Sequence, residues 1–405
     1  MNGETSQLFA VSGELTYWSK LFFKIVSKIE KGKLTIITPE KQTVSYEGDI
    51  EGEDVIVTIK DWKFTENLFL KGDIGLGESY IEGHWESSNI NGLIKLGIDN
   101  YDILKSVIKG QIFKVLMYRF KHLFLNRNTK AGSKRNIYAH YDIGNRFYKL
   151  WLDPSMTYSA ALFDGEDISL EEAQKNKYQH ILDELPLKEG DHILEVGCGW
   201  GGFMEYAAKR NYKVTGVTIS QEQYDYAVER LAEYGDLCEV KLQDYRDIDG
   251  HYDHIVSIEM FEALGQAYWK GYFKKLYSIL RPGGHAVIQS ITINNKDFKS
   301  YSRGSDFIQQ FIFPGGMLPS PKEVEKQSRK SGLRLLVEYE FGADYAKTLD
   351  QWEINFSRAL DKVREYGLDD KFIRTWRFYL KYCQGGFEAR KISVSQFNFV
   401  KRGKV

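Results

Sequence analysis

Between residues 192 and 291 short apolar runs alternate with segments whose apolar positions recur every three or four residues. His192-Ile-Leu-Glu-Val196, Tyr212-Lys-Val-Thr-Gly-Val-Thr-Ile219, 239–242, His254-Ile-Val-Ser-Ile258 and His285-Ala-Val-Ile-Gln-Ser-Ile291 read as strands. The stretches 203–209, 221–233 and 268–280 read as helices, and Arg281-Pro-Gly-Gly284 as a turn. The alternation of these strands with helices predicts an α/β fold with a doubly wound parallel sheet. Segments 334–340 and 392–400 would add an antiparallel pair. Mostly helical insertions near 295–330 and 346–388 would roof the ligand edge, which suits a long, apolar substrate.

The first 100 residues follow a different rhythm. An amphipathic helix over 17–30 precedes alternating strands at 34–38, 43–46 and 54–59, and a turn-rich segment, 72–85, precedes another helix. This predicts a small α+β unit. From Ile103 to Tyr141 there are nine Lys or Arg and no acid, with Leu104, Val107, Ile108, Ile112, Val115, Leu116 and Phe120 at helical spacing. A basic amphipathic helix suits an anionic membrane surface; a connecting helix packed on its neighbour is the other reading. The expected domains are an N-terminal unit with its basic helix, 1–125, and a core, 126–405.

Composition narrows the class. The net charge of −1 argues against a nucleic-acid partner. Three widely spaced cysteines, Cys198, Cys238 and Cys383, indicate neither a disulfide framework nor a metal site. The opening Met-Asn-Gly-Glu-Thr-Ser lacks a signal-peptide layout, and no apolar run approaches the roughly 20 residues of a membrane span, so a cytoplasmic protein is expected. The 26 Tyr, 24 Phe and 8 Trp serve core filling or a π-lined pocket.

Leu194-Glu-Val-Gly-Cys-Gly-Trp-Gly-Gly202 joins the first of these strands to a helix. Gly197, Gly199 and Gly202 satisfy the dinucleotide pattern, which expects an acid about 20 residues on. Val217-Thr-Ile-Ser220 offers none, whereas Glu195 sits inside the strand just before the turn. That placement suits the hydroxyls and ammonium of S-adenosylmethionine (SAM). A dinucleotide site and a ligand-free packing turn remain the alternatives at this point.

Several further motifs occur in order: His140-Tyr-Asp-Ile-Gly-Asn145, Gly216-Val-Thr-Ile-Ser220 with Gln223, Gln243-Asp-Tyr-Arg-Asp247, Met260-Phe-Glu262, Phe313-Pro-Gly-Gly316, Phe341-Gly-Ala-Asp-Tyr345 and Gly385-Gly-Phe387. With the glycine loop they resemble the cyclopropane-fatty-acyl-phospholipid synthase family of SAM-dependent methyltransferases over nearly the whole chain. The resemblance implies a class I methyltransferase sheet and an N-terminal lipid-facing domain. It also implies SAM contacts from Tyr158, Ser159, Glu195, Gly197, Gly199, Trp200, Gly201, Thr218, Ser220, Gln223, Asp244 and Tyr245. The implied substrates are unsaturated phospholipid acyl chains, and the implied setting is the inner membrane face, where the basic stretch would dock. A homodimer is expected.

In that family a cis double bond attacks the sulfonium methyl. Aromatic faces steady the resulting cation, and a bicarbonate held by a Cys, a Glu, a His and a Tyr removes a proton to close the ring. Glu262 and Tyr345 match the Glu and the Tyr, with His140 and Tyr158 as further catalytic candidates. Ala160, however, stands where the motif has Cys, and Gln289 where it has His. Gln289 can donate a hydrogen bond but cannot carry charge. Bicarbonate binding is therefore in doubt, and the expected product is a cyclopropane or a methyl-branched alkene. Two other readings are a small-molecule N- or C-methyltransferase and a lipid- or SAM-binding protein without catalysis.

Overall fold

The computed structural model describes residues 15–102 and 144–402; the basic stretch and His140 lie outside the described residues. The chain divides into two compact units. One joins Met1–Leu125 with Gly304–Ile312 and Leu360–Lys391; the other takes Asn126–Arg303, Phe313–Ala359 and Ile392–Val405.

In the first unit, strands β1 (Lys31–Ile37), β2 (Thr43–Glu47), β3 (Ile50–Ile59) and β4 (Trp85–Glu86) form a sheet in the order β2-β1-β3-β4. The turn-rich segment at 72–85 proves to contain a helix, Asp73–Ile81. Its glycines permit close packing: a Cβ on Gly77 would lie 2.3 Å from the Phe307 ring and 2.9 Å from Phe378. Tertiary packing here overrides glycine's weak helix propensity.

The long insertions also differ from expectation. Helix Asp370–Glu388 buries Ile373, Trp376, Phe378, Tyr379, Leu380 and Phe387, and it packs on helices Asp73–Ile81 and Ile90–Asp99. Residues 360–391 and 304–312 thus belong to the N-terminal unit and not to the unit of the large sheet. Periodicity reveals that a helix has an apolar face, not which partner covers it. The Gly385-Gly-Phe387 motif has its reason here, since a Cβ on Gly385 would meet the Asn91 carbonyl at 2.5 Å.

The second unit is built on a seven-stranded sheet. Strands β5 (His192–Val196), β6 (Lys213–Thr218), β7 (Cys238–Leu242), β8 (Tyr252–Ile258), β9 (Leu280–Ile293), β10 (Leu333–Glu340) and β11 (Ile392–Lys401) take the order β10-β11-β9-β8-β5-β6-β7. The five from β9 to β7 run parallel, while β11 pairs antiparallel with β9 and β10. Four consecutive residues are buried in β5 and again in β8, as strands covered on both faces require. After β5 the chain winds to one side through β6 and β7, then to the other through β8 and β9. The carboxyl end of β5 is therefore the switch point where such sheets bind ligands.

Gly77→Ala tests the close packing in the first unit. Alanine gains up to about 1 kcal/mol as a helix former, whereas overpacking costs about 1–3 kcal/mol. The thermal unfolding midpoint is expected to fall; an unchanged or higher midpoint would show that Phe307 yields freely.

Candidate active site

The glycine loop turns on left-handed backbone, with φ of 84° at Gly197, 53° at Gly199 and 80° at Gly201. Only glycine takes such angles at little cost. Trp200 is buried, its indole donating to Asn145 Oδ1 at 2.6 Å, which ties the loop to the described end of the His-Tyr-Asp-Ile-Gly-Asn motif. Helix Gly202–Ala208 then starts beneath the loop and presents its N-terminal amides. Glu195 is 3% exposed and its Oε2 has no partner, an orphaned acceptor that the hydroxyls or ammonium of SAM would satisfy. Burial pushes its carboxyl well above the usual range, partly opposed by the charge of Lys177.

Thr218 donates to Gln223 Oε1 at 2.9 Å, and Ser220 caps helix Gln221–Leu231. The carboxylate of Asp244 is held by Arg246 at 2.6 Å and 2.8 Å. Tyr245 belongs to the core, its ring 5.5 Å from Tyr272. Ser159 is buried, with its hydroxyl receiving the Lys177 ammonium at 2.6 Å and its carbonyl receiving Gln174 at 2.9 Å.

Beside the loop the rings of Tyr148, Trp151, Tyr158, Trp200 and Trp352 lie with neighbouring centroids 5.0–5.6 Å apart, and Tyr345 stands edge-on to Trp352 at 6.1 Å. Helix Gly342–Arg358 sets this wall. Asp344 accepts from the amides of Phe163 (2.8 Å) and Asp164 (3.1 Å), and Thr348 accepts from Ala161 (3.0 Å), so the segment carrying Tyr158 and Ala160 is pinned opposite Tyr345.

The centre of the site is a residue that the motifs do not point to. Glu259 follows β8 with a φ of 50°. That region strains a side chain with a Cβ. Its Oε1 accepts from the Ala160 amide at 2.9 Å and from Gln289 Nε2 at 2.8 Å, and its Oε2 accepts from the Tyr345 hydroxyl at 2.7 Å. Gln289 is fixed from behind, because Gln396 donates to its Oε1 at 3.0 Å and Gln396 is in turn bonded to His180 at 2.6 Å. The β9–β11 register sets Gln289 directly against Gln396.

Glu262 lies on the short helix after Glu259. Its Oε1 accepts from the Ile291 amide, and its Oε2 has no partner. Burial, then the charge of Glu259, raises its carboxyl to about 8. Glu259 is itself raised by burial, against the pull of its three donors and of Lys177. Lys177 is wholly buried and is lowered to about 7 by that burial, with Glu259, Asp153 and Glu195 opposing the shift.

The structure thus brings together Glu262, Gln289, Tyr345 and Tyr158, and it adds Glu259 and Lys177. Glu259 had a local signal, an acid directly after an apolar strand, close to the placement that singles out Glu195. Lys177 had none; in sequence it resembles any lysine of a polar helix. Among the described residues no cluster of His, Cys, Asp and Glu could hold a metal. No helix among them is long and apolar enough to cross a membrane.

The strand order and glycine loop are those of a class I SAM-dependent methyltransferase. Residues 128–397 match the family described as mycolic acid cyclopropane synthetase, and the chain belongs to that family. It is 34% identical to the tuberculostearic acid methyltransferase UfaA1 of Mycobacterium tuberculosis over 342 residues, 82% of this chain and 80% of that one. It is 33% identical to the cyclopropane-fatty-acyl-phospholipid synthase of Escherichia coli K12 over 350 residues, 85% of this chain and 87% of the relative. The crystal structure of the mycolic acid cyclopropane synthase CmaA1 complexed with SAH and CTAB is 31% identical, with a TM-score of 0.62 over 66% of this chain and 97% of that one. SAM is accordingly the methyl donor of this enzyme.

Two measurements follow from the carboxylates. Glu195→Gln is expected to weaken SAM binding about 10- to 100-fold by calorimetry, since a hydrogen bond to a charged group is worth about 1.5–3 kcal/mol; unchanged affinity would remove Glu195 from the cofactor site. Glu262 keeps its proton when folded up to about pH 8, whereas an unfolded chain releases it near 4.5. Its contribution to stability is therefore full below pH 4.5 and is lost as pH rises towards 8. The unfolding midpoint of the parent minus that of Glu262→Gln should fall across this window, and a flat difference would contradict the raised carboxyl.

Proposed function

We propose that the enzyme transfers a methyl group from SAM to the cis double bond of an unsaturated acyl chain in a phospholipid. The observation that carries this reading is the aromatic wall of Tyr148, Trp151, Tyr158, Trp352 and Tyr345 beside the carboxylates of Glu259 and Glu262. An alkene is a weak nucleophile, and methylating it leaves a carbocation that water would capture. Such a step needs a dry enclosure and π faces for the cation, and then a base. When bound, SAM supplies the electrophilic methyl. Tyr158 and Trp352 face the developing charge, and an ionised carboxyl of the site receives the proton.

The names of the relatives support lipid chains as the substrate class. The nine basic residues of 103–141 support docking on an anionic bilayer, where each is worth about 1 kcal/mol near the surface. The product is a ring if the proton leaves the new methyl, and a methyl-branched alkene if it leaves a neighbouring chain carbon.

Incubation with methyl-labelled SAM and anionic vesicles of a cis-monounsaturated phospholipid checks this. Label is expected in the acyl fraction, at a rate that falls as salt is raised, and NMR of the released chains separates ring from branched alkene. Label confined to amines or head groups, or absent from lipid altogether, would overturn the proposal.

A further inference from the structure

A carboxylate built into the chain stands where the resemblance calls for a bicarbonate from solution. The family's anion is held by a Cys, a Glu, a His and a Tyr, and two of these are Ala160 and Gln289 here. The residues present do not fit a bound bicarbonate. The donors that would hold it, Gln289 Nε2, the Tyr345 hydroxyl and the Ala160 amide, all converge on Glu259 at 2.7–2.9 Å. A second anion at that point would compete with the Glu259 carboxylate for the same three donors. We infer that Glu259 is the general base of this enzyme, replacing bicarbonate with a protein carboxylate.

Three features belong together on this reading. Ala160 brings only a methyl group and its backbone amide, which donates to the carboxylate. Gln289 can offer Glu259 nothing but its NH2, because a carboxylate only accepts, and Gln396 holds that orientation by donating to the other end of the amide. Glu259 adopts a left-handed backbone that glycine would take without strain, and strain of this kind concentrates at functional sites. A carboxylate has about four lone-pair directions, so three donors leave one for a substrate proton, and Glu259 remains partly accessible.

The inference rests on the methyl-transfer reading above, and its chemistry balances without another reactant. The π pair of the double bond forms the bond to the sulfonium methyl, and the carbon–sulfur bond breaks with its pair to sulfur, leaving neutral S-adenosylhomocysteine. The adjacent chain carbon is then cationic. Glu259 takes a proton from the new methyl, whose C–H pair closes a ring, or from a chain carbon, whose C–H pair forms the new double bond. Glu259 ends neutral and returns its proton to solvent after product release.

The test combines turnover with anion binding. The parent enzyme should turn over at the same rate in carbonate-free buffer and with bicarbonate added. Glu259→Gln, which keeps the shape without the base, should lose about 100-fold or more, the scale of general-base catalysis, with no rescue. Glu259→Gly, which the backbone accommodates, should bind SAM by calorimetry, lose turnover in carbonate-free buffer and regain part of it with bicarbonate. Turnover by the parent that falls when carbonate is removed, or Glu259→Gln within a few-fold of the parent, would overturn the inference. A second readout needs no acyl substrate: NMR with carbon-13 bicarbonate should show saturable binding to Glu259→Gly and none to the parent. Bicarbonate binding to the parent, or none to Glu259→Gly, counts against the inference even if lipid turnover fails. Failure of the parent on every lipid overturns the proposed substrate, while the NMR measurement still decides the role of Glu259.

Discussion

The site depends on one electrostatic constraint: the carboxyls of Glu195, Glu259 and Glu262 are all buried away from water, and the buried ammonium of Lys177 acts on the first two. Charge in such a place is tolerated only where donors or an opposite charge replace water. Each carboxyl meets this differently. Glu259 collects three hydrogen bonds, Glu262 has one amide and is pushed up to about 8, and Glu195 keeps an oxygen without a partner just before the glycine loop.

The rest of the second unit secures those donors. Gln289 is useful to Glu259 only in one amide orientation, which requires Gln396 opposite it on β11 and His180 behind that. Tyr345 reaches Glu259 from a helix whose Asp344 and Thr348 clamp the 161–164 backbone, placing the Ala160 amide on the other side. A register slip of one residue in β11 would turn Gln396 to the other face and leave Gln289 free to rotate. The closing antiparallel strands, which look peripheral in the topology, therefore act on the centre of the site.

Ala160 and Gln289, taken singly, look like losses from a catalytic set. In space they sit around Glu259, and the three form one hydrogen-bonded arrangement. A small side chain and a neutral amide suit a resident carboxylate, where a thiol and an imidazole would suit a separate anion. Substitutions in contact do not add independently, and their joint effect is legible only with all partners in view.

The sequence by itself determined the sheet, the glycine loop and the class of cofactor. These are local matters: apolar runs of strand length, glycines where the backbone must turn left-handed, and an acid at a strand end. Glu259, directly after the apolar strand β8, carries a local signal of this kind beside Met260-Phe-Glu262. Lys177, the pairing of Gln289 with Gln396 and the attachment of helix Asp370–Glu388 to the N-terminal unit were decided only by tertiary structure. They depend on which elements meet, and no local periodicity carries that information. The helix at 73–81 makes the point physically, since Gly77, which reads as part of a turn, lies against the Phe307 ring.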